Sequence, residues 1–418
     1  MSEGCVGCSC RTVTASGRGT LVLVATRVNH TGGALRSLAL RHGAKVQEVV
    51  PGVLALETDG ADSLIAEACR ELTPIETQEV RCLVMEDPDL ASASVVARAM
   101  TAPTLAEAGA RVEHADLVPL FEDEERCFYS EYQPIVDLSD GEVFGYEALL
   151  RAETVAGDRV MPDTLFPAAE AAGWTHLLDR VGRTTALRGA GSWLRDESLF
   201  INFIPTSIYR PEVCLRTTEA AARDAGIRLD QVVFEVTEGH KVDDLAHLER
   251  VFDYYRSRKC RVALDDLGAG YSSLNLLVRL QPDIVKLDKE IVQDLPGPIG
   301  TAVVAAIVDI VHAYGGSVLA ECVETTGQAE AASALGVDLA QGWLFGRPER
   351  RTATVAPVEG GVGRLRSGPV QPHDPDSAVA VSSISERQGG RGPSVTRPSP
   401  TTVARMVERA TPVRADWS

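Results

Sequence analysis

Six apolar runs end in side chains that can donate electron pairs or carry charge: Glu147 in GYEALLR, Asn202 in FINFI, Glu235 and Glu238 in FEVTE, Asp265 and Asp266 in ALDD, Lys286 and Asp288 in VKLD, Glu321 and Glu324 in AECVE. Taken singly, such an acid is a turn former or a helix cap. Repeated on successive runs, the pattern predicts a ring of oxygen ligands with one lysine. Crowded carboxylates raise one another's pKa unless cations neutralise them. Oxygen donors without clustered His or Cys suit Mg2+, Mn2+ or Ca2+ rather than zinc, and the eight histidines show no HxH or HExxH spacing. Two adjacent aspartates fit a carboxylate that bridges two ions while its neighbour serves the second, as in two-metal hydrolases that attack phosphorus in line. Lys286 at the same mouth would orient the water or stabilise developing charge.

These donors meet only if the runs lie side by side and point the same way. From 121 to 350, apolar runs (LFINFI, VVFEV, VALDD, IVKLD, VLAEC) alternate with amphipathic windows such as LAHLERVFDYYRSRKC and TAVVAAIVDIVHAYGG. That alternation predicts an α/β fold, a (β/α)8 TIM-like barrel with a parallel sheet inside and chemistry at the C-terminal strand ends. A doubly wound sheet is the alternative, but no glycine-rich dinucleotide fingerprint follows an early strand.

Residues 20–86 read strand, helix, strand, strand, helix, strand, a small α+β domain of ferredoxin-like order expected to be a sensory or dimerisation module. Residues 87–120 form a helical or irregular connector. Residues 1–19 form a flexible start whose Cys5, Cys8 and Cys10 make a CxxCxC, able to hold zinc or an iron-sulfur cluster only if a fourth ligand such as Cys69 or Cys82 joins. Residues 351–418, rich in Pro, Ser, Gly, Thr and Arg, show no sustained period and are expected to be disordered.

A chain of 418 residues, 44% hydrophobic, can build such domains. Its net charge of −18 argues against duplex nucleic acid and anionic lipid as partners. No apolar run reaches the roughly 18 residues of a membrane span. The N-terminal MSEGCVGCSC lacks the basic start and apolar core of a signal peptide, and nine scattered cysteines fit reduced thiols, so a cytoplasmic location is expected.

Across 121 to 350 the sequence resembles the EAL family of cyclic di-GMP phosphodiesterases. The resemblance rests on Glu147, Ala148 and Leu149 in YSEYQPIVDLSDGEVFGYEALLR, then FINFIPTSIY, FEVTE, LDDLGAGYSSL, VKLD, AECVET and QGWLFGRP, in that order. It implies that Glu147, Asn202, Glu235 and Asp265 hold one metal, with Asp265 bridging and Asp266 serving a second. It further implies that Lys286 holds the catalytic water, that Glu321 is a metal-water ligand or base, and that Glu238 steadies the loop after Asp266. Gln133, Leu149, Arg151 and Gln341 would lie against the nucleotide. The implied reaction hydrolyses cyclic di-GMP to linear pGpG with two Mg2+ or Mn2+ ions, in a homodimer. A catalytically weak domain that binds cyclic di-GMP as an effector is the alternative, disfavoured because no metal ligand is missing. A barrel acting on another phosphodiester is a third reading. No GG[DE]EF string is present.

Two positions depart from the family pattern. Leu267 replaces a phenylalanine and is expected to pack under the following loop at little cost. Cys322 replaces the glycine of Ala-Glu-Gly-Val-Glu; as a small, strand-compatible residue it is expected to be buried, inert and of modest effect.

Overall fold

The computed structural model describes residues 20–85, 92–237, 245–267 and 273–352, with Ser92, Thr237, Asp266 and 273–275 described by backbone alone. Cys5, Cys8, Cys10, Glu238, Gly268, Gly270 and everything beyond residue 352 lie outside the described residues.

In the N-terminal part, β1 (Leu21–Ala25), β2 (Lys45–Val50), β3 (Val53–Glu57) and β4 (Arg81–Met85) form an antiparallel sheet in the order β2-β3-β1-β4. This is the order of the split βαβ unit. Helices Asn29–Arg41 and Ala61–Glu71 cover one face through Leu35, Leu38, Leu64 and Ile65. Helix Ser92–Thr101 covers the other through Val95 and Ala99. Burial from both sides explains why β1 and β3 are almost continuously apolar instead of alternating. Helix Leu105–Glu113 adds Leu105 and Ala108 to the first face, so the expected connector completes this core. One short segment differs from the sequence reading. Residues 77–79 are helical rather than extended, because Thr73 and Glu76 close a capping box on helix Pro74–Glu79 and leave the strand to begin at Arg81.

The barrel uses β5 (Phe128–Asp137), β6 (Val143–Glu153), β8 (Ser198–Asn202), β9 (Val232–Thr237), β10 (Arg261–Leu267), β11 (Ile284–Leu287), β12 (Ser317–Ala320) and β13 (Leu339–Gln341). The two-residue β7 (Arg159–Val160) adds to the far end of β6. The ring runs β5-β13-β12-β11-β10-β9-β8-β6 and closes through β5–β6. Seven strands are parallel, but β5 is antiparallel to both its neighbours. The reason is local: residues 138–142 join β5 to β6 in a tight turn, with Asp137 Oδ1 accepting from Ser139 N at 2.8 Å. A connection that short permits only antiparallel pairing.

The floor of the barrel is an apolar layer of Ile135, Phe200, Val233, Ala263, Ile284, Leu319 and Leu339. Side chains on one face of a strand recur every second residue. Two residues along from this layer stand Gln133, Asn202, Glu235, Asp265, Lys286, Glu321 and Gln341. The strand repeat that fills the floor with hydrocarbon therefore fills the next layer with polar groups.

Outside the ring, helix Thr175–Ala190 packs on β5, where Tyr132 donates from its hydroxyl to Ala186 O at 2.8 Å. A Cβ on Gly189 would overlap that hydroxyl. In an ordinary helix interior Gly→Ala gains about 1 kcal/mol. Here Gly189→Ala should instead lose about 1–3 kcal/mol in urea unfolding, and Tyr132→Phe added to it should recover part of the loss; an increase in stability for the single variant would contradict the packing described.

Candidate active site

Lys286 organises the polar layer. Its side chain is 1% exposed, and its Nζ lies 2.6 Å from Glu321 Oε1, 3.0 Å from Asp265 Oδ1, 3.1 Å from Glu235 Oε1 and 3.9 Å from Glu147 Oε1. Burial alone would pull the ammonium down, but the four carboxylates together hold it well above its ordinary value. One cation cannot balance them all. Burial pushes Glu235 well above the carboxylate range against the opposing pull of Lys286, with Glu147, Asp265 and Glu321 adding to the rise. Burial likewise pushes Glu321 up to about 8 despite Lys286 beside it.

The opposite wall holds Glu147 in place. Asn202 Nδ2 donates to Glu147 Oε1 at 3.0 Å, and Gln341 Nε2 donates to Glu147 Oε2 at 2.7 Å. Gln341 Nε2 also lies 3.2 Å from Gln133 Oε1, while Gln133 Nε2 donates to Gly346 O at 3.1 Å. Glu147, Asn202, Gln341 and Gln133 thus form one chain of hydrogen bonds across β8, β6, β13 and β5. Arg151, farther along β6, pairs with Glu131 at 2.7 Å, and Leu149 is half-buried between the two.

Not every acidic strand end joins the cluster. Asp288 caps helix Lys289–Gln293, its Oδ1 accepting from Glu290 N at 2.7 Å. Glu324 is exposed, with its backbone N–H bonded to Gln328 Oε1 at 2.9 Å. For Asp288 the ordinary reading of an acid at a strand end, a helix cap, holds.

Three backbone features that position the site left little mark in the sequence. The first is a register shift between β10 and β11: Leu264 faces Val285 and Leu267 faces Leu287, so three steps on β10 oppose two on β11. The bulge falls on Asp265–Asp266, where the backbone departs from the regular strand repeat. Leu267 just beyond is 2% exposed and belongs to the main core, while the loop that follows it lies outside the described residues.

The second corrects the reading of Cys322. It is neither buried nor in strand geometry: it is exposed, with φ of +52°. That left-handed turn disfavours a side chain, and it follows directly on Glu321. Partial desolvation by its surroundings and the neighbouring Glu321 carboxylate push the thiol up.

The third is the return of the chain, where Val323 N donates to Gln341 O at 2.9 Å. A Cβ on Gly342 would overlap the Val323 backbone, so only glycine lets these two segments meet as they do.

The residues fit divalent cations. Both Glu235 carboxylate oxygens and Gln341 Oε1 are buried without a hydrogen bond, and although Lys286 stands near Glu235, its approach is not along a hydrogen-bonding direction. Such orphaned acceptors are costly without a partner. All the donors are hard oxygens. Among the described residues no three carboxylates stand as a ready cage, since they are drawn around the ammonium.

A closed barrel with a carboxylate ring at its C-terminal mouth defines the class of protein, and comparison with known proteins gives the family. A model described as the EAL domain matches residues 115–348, and the chain belongs to that family. It is 29% identical over 238 residues to the probable cyclic di-GMP phosphodiesterase PdeB of Escherichia coli K12, over 56% of this chain and 45% of that protein. It is 30% identical over 230 residues to the uncharacterized protein Rv1357c of Mycobacterium tuberculosis H37Rv, over 53% of this chain and 75% of that protein. The solved PaMucR phosphodiesterase in complex with c-di-GMP is 27% identical with a TM-score of 0.50, over 56% of this chain and 97% of that one. The matched stretch spans only 30% and 45% of the first two curated relatives.

Because Cys322 is strained by its positive φ, Cys322→Gly should raise stability by about 1 kcal/mol in urea unfolding. A destabilised variant would show that the thiol makes a compensating contact.

Proposed function

We propose that this protein hydrolyses one phosphodiester of cyclic di-GMP to give linear pGpG, using two Mg2+ or Mn2+ ions held at the barrel mouth. The observation that carries the proposal is the convergence of Glu147, Glu235, Asp265 and Glu321 on Lys286, with Asn202 on Glu147. In this reading Glu147, Asn202, Glu235 and Asp265 hold one ion, and Asp265, Asp266 and Glu321 serve the other. When bound, the ions supply Lewis-acid charge at the phosphodiester and make water acidic enough to act as nucleophile near neutral pH.

The chain's own groups do the positioning. Lys286, released from part of its load of carboxylates, offers N–H donors to the attacking water and to charge developing on phosphate oxygens. Gln341 and Asn202 fix both oxygens of Glu147, so this ligand is oriented before any ion arrives. Gln133, Gln341, Leu149 and Arg151 would meet the nucleotide. Glu238 is assigned to the loop after Asp266.

The N-terminal sheet is assigned as an input or dimerisation module. A homodimer would cover Ile299, Val303 and Ile310, which are exposed along helix Pro298–Ala313, and sedimentation of the full chain as a monomer would remove that part of the proposal. Among the described residues no helix is long and apolar enough to cross a membrane; a cytoplasmic location is part of the proposal.

Purified protein incubated with cyclic di-GMP and Mg2+ or Mn2+ should release pGpG, separated by chromatography. Glu147→Ala removes a ligand outright and should lower turnover by more than the roughly 100-fold typical of losing an outer partner, with an unchanged circular dichroism spectrum. Full activity in that variant would refute the site assignment; binding of cyclic di-GMP without pGpG release by the parent protein would favour an effector.

A further inference from the structure

Helix Thr175–Ala190 carries two charges on its buried side. Its inward face includes Leu177, Leu178, Val181 and Leu187, and among them stand Asp179 and Arg183, whose side chains are 0% and 3% exposed. In the sequence the two acid and base positions are an ordinary i,i+4 pair of the kind found on helix surfaces. Buried, such a pair gains little for the fold, because apolar side chains of similar volume are often as stabilising. The question is therefore what else the buried carboxylate holds.

Asp179 holds the exit of β8. The parallel pairing of β8 with β9 ends where Asn202 faces Glu235, and Phe203 N makes the last bond of that ladder, to Glu235 O at 3.0 Å. Ile204 N, one residue on, leaves the sheet and donates to Asp179 Oδ1 at 2.8 Å. Asp179 Oδ2 is taken by Arg183, through Nε at 3.1 Å and Nη2 at 2.7 Å. Arg183 is fixed in turn by Thr218 on helix Arg216–Asp224, to whose Oγ1 its Nη1 donates. Phe203 is wedged edge-on against Phe234 and Tyr255, with ring centroids 6.3 and 5.3 Å away. Asn202 itself is exposed at the mouth, so its place is set by these contacts of Phe203 and Ile204 rather than by packing of its own side chain.

We infer that Asp179 is a positioning residue for the barrel mouth: through Ile204 it fixes the turn after β8 and so keeps the Asn202 amide on Glu147, while Arg183 holds the carboxylate in place. Asn202 Nδ2 donates to Glu147 Oε1 at 3.0 Å, and the two residues are assigned to the same ion. That ion would then depend on a carboxylate it never touches, as metal ligands generally depend on the hydrogen bonds behind them. Only this consequence for the ion rests on the function proposed above.

Two double variants of the full chain separate positioning from stability. The first, Asp179→Leu with Arg183→Met, removes both charges and the acceptor for Ile204. The second, Asp179→Asn with Arg183→Met, removes both charges but leaves an amide oxygen facing Ile204 N. In urea unfolding the first should be at least as stable as the parent, and the second less stable, because it buries amide N–H groups opposite methionine. Mn2+ binding followed by electron paramagnetic resonance should run in the opposite order, roughly tenfold weaker than the parent in the first variant and within about threefold of it in the second. Amide exchange at Ile204 should be about tenfold faster in the first variant than in the second. Equal Mn2+ affinity in the two variants, or a first variant that unfolds at lower urea than the second, would make the pair merely structural and overturn the inference. A parent protein that takes up no Mn2+ would instead overturn the function proposed above. The exchange comparison then decides alone: faster exchange at Ile204 in the first variant upholds the hold on the turn, and equal exchange overturns it.

Discussion

The architecture of the barrel mouth depends on one buried ammonium. Lys286 is sealed at the centre of the polar layer with four carboxylates around it. Taking one charge into a protein interior is affordable only when partners surround it, and removing one partner from a buried pair costs about 3–5 kcal/mol. Here the imbalance runs the other way, with too many carboxylates for one cation; burial pushes Glu235 and Glu321 up, and the neighbouring carboxylates add to the rise. A fold that retains such a deficit in its interior is poised to take up positive charge. Ligand oxygens must also be deprotonated to bind an ion, so cation binding and ionisation of Glu235 and Glu321 go together.

Everything around this cluster serves to hold carboxylates that repel one another. The apolar floor from Ile135 to Leu339 fixes the strands, and the two-residue repeat places the polar ring one step above it. Closure through the antiparallel β5 brings Gln133 beside Gln341. The bulge on β10 and the close approach of Val323 to Gly342 then depart from regular strand geometry beside Asp265 and Glu321. The N-terminal unit is joined to this frame by helix Leu105–Glu113, which shares its core and also bonds the barrel through Arg111.

Much of this was legible in the sequence, for a physical reason. Strand periodicity and the repeated polar strand ends are local patterns, so Glu147, Asn202, Glu235, Asp265, Lys286 and Glu321 could be named and are brought together. What was not legible depends on partners remote in sequence or on backbone angles. The reversal of β5 follows from a turn of a few residues, and the bulge at Asp265–Asp266 exists only relative to β11. Cys322 could be seen to replace a glycine, but its left-handed backbone, and hence its strain, was not visible. The capping box of Thr73 and Glu76 was written in the sequence and outweighed by the apolar run after it. Glu238 remains an assignment by resemblance.

Counting cations at the mouth tests the central claim most directly. Titration of the full chain with Mn2+, followed by electron paramagnetic resonance, should show two ions per chain taken up with the linked release of protons. Asp265→Asn, which alters the carboxylate assigned to both ions, should reduce that number. Uptake of no Mn2+, or the same two ions after Asp265→Asn together with Glu235→Gln, would contradict the reading of the Lys286 cluster as a metal centre.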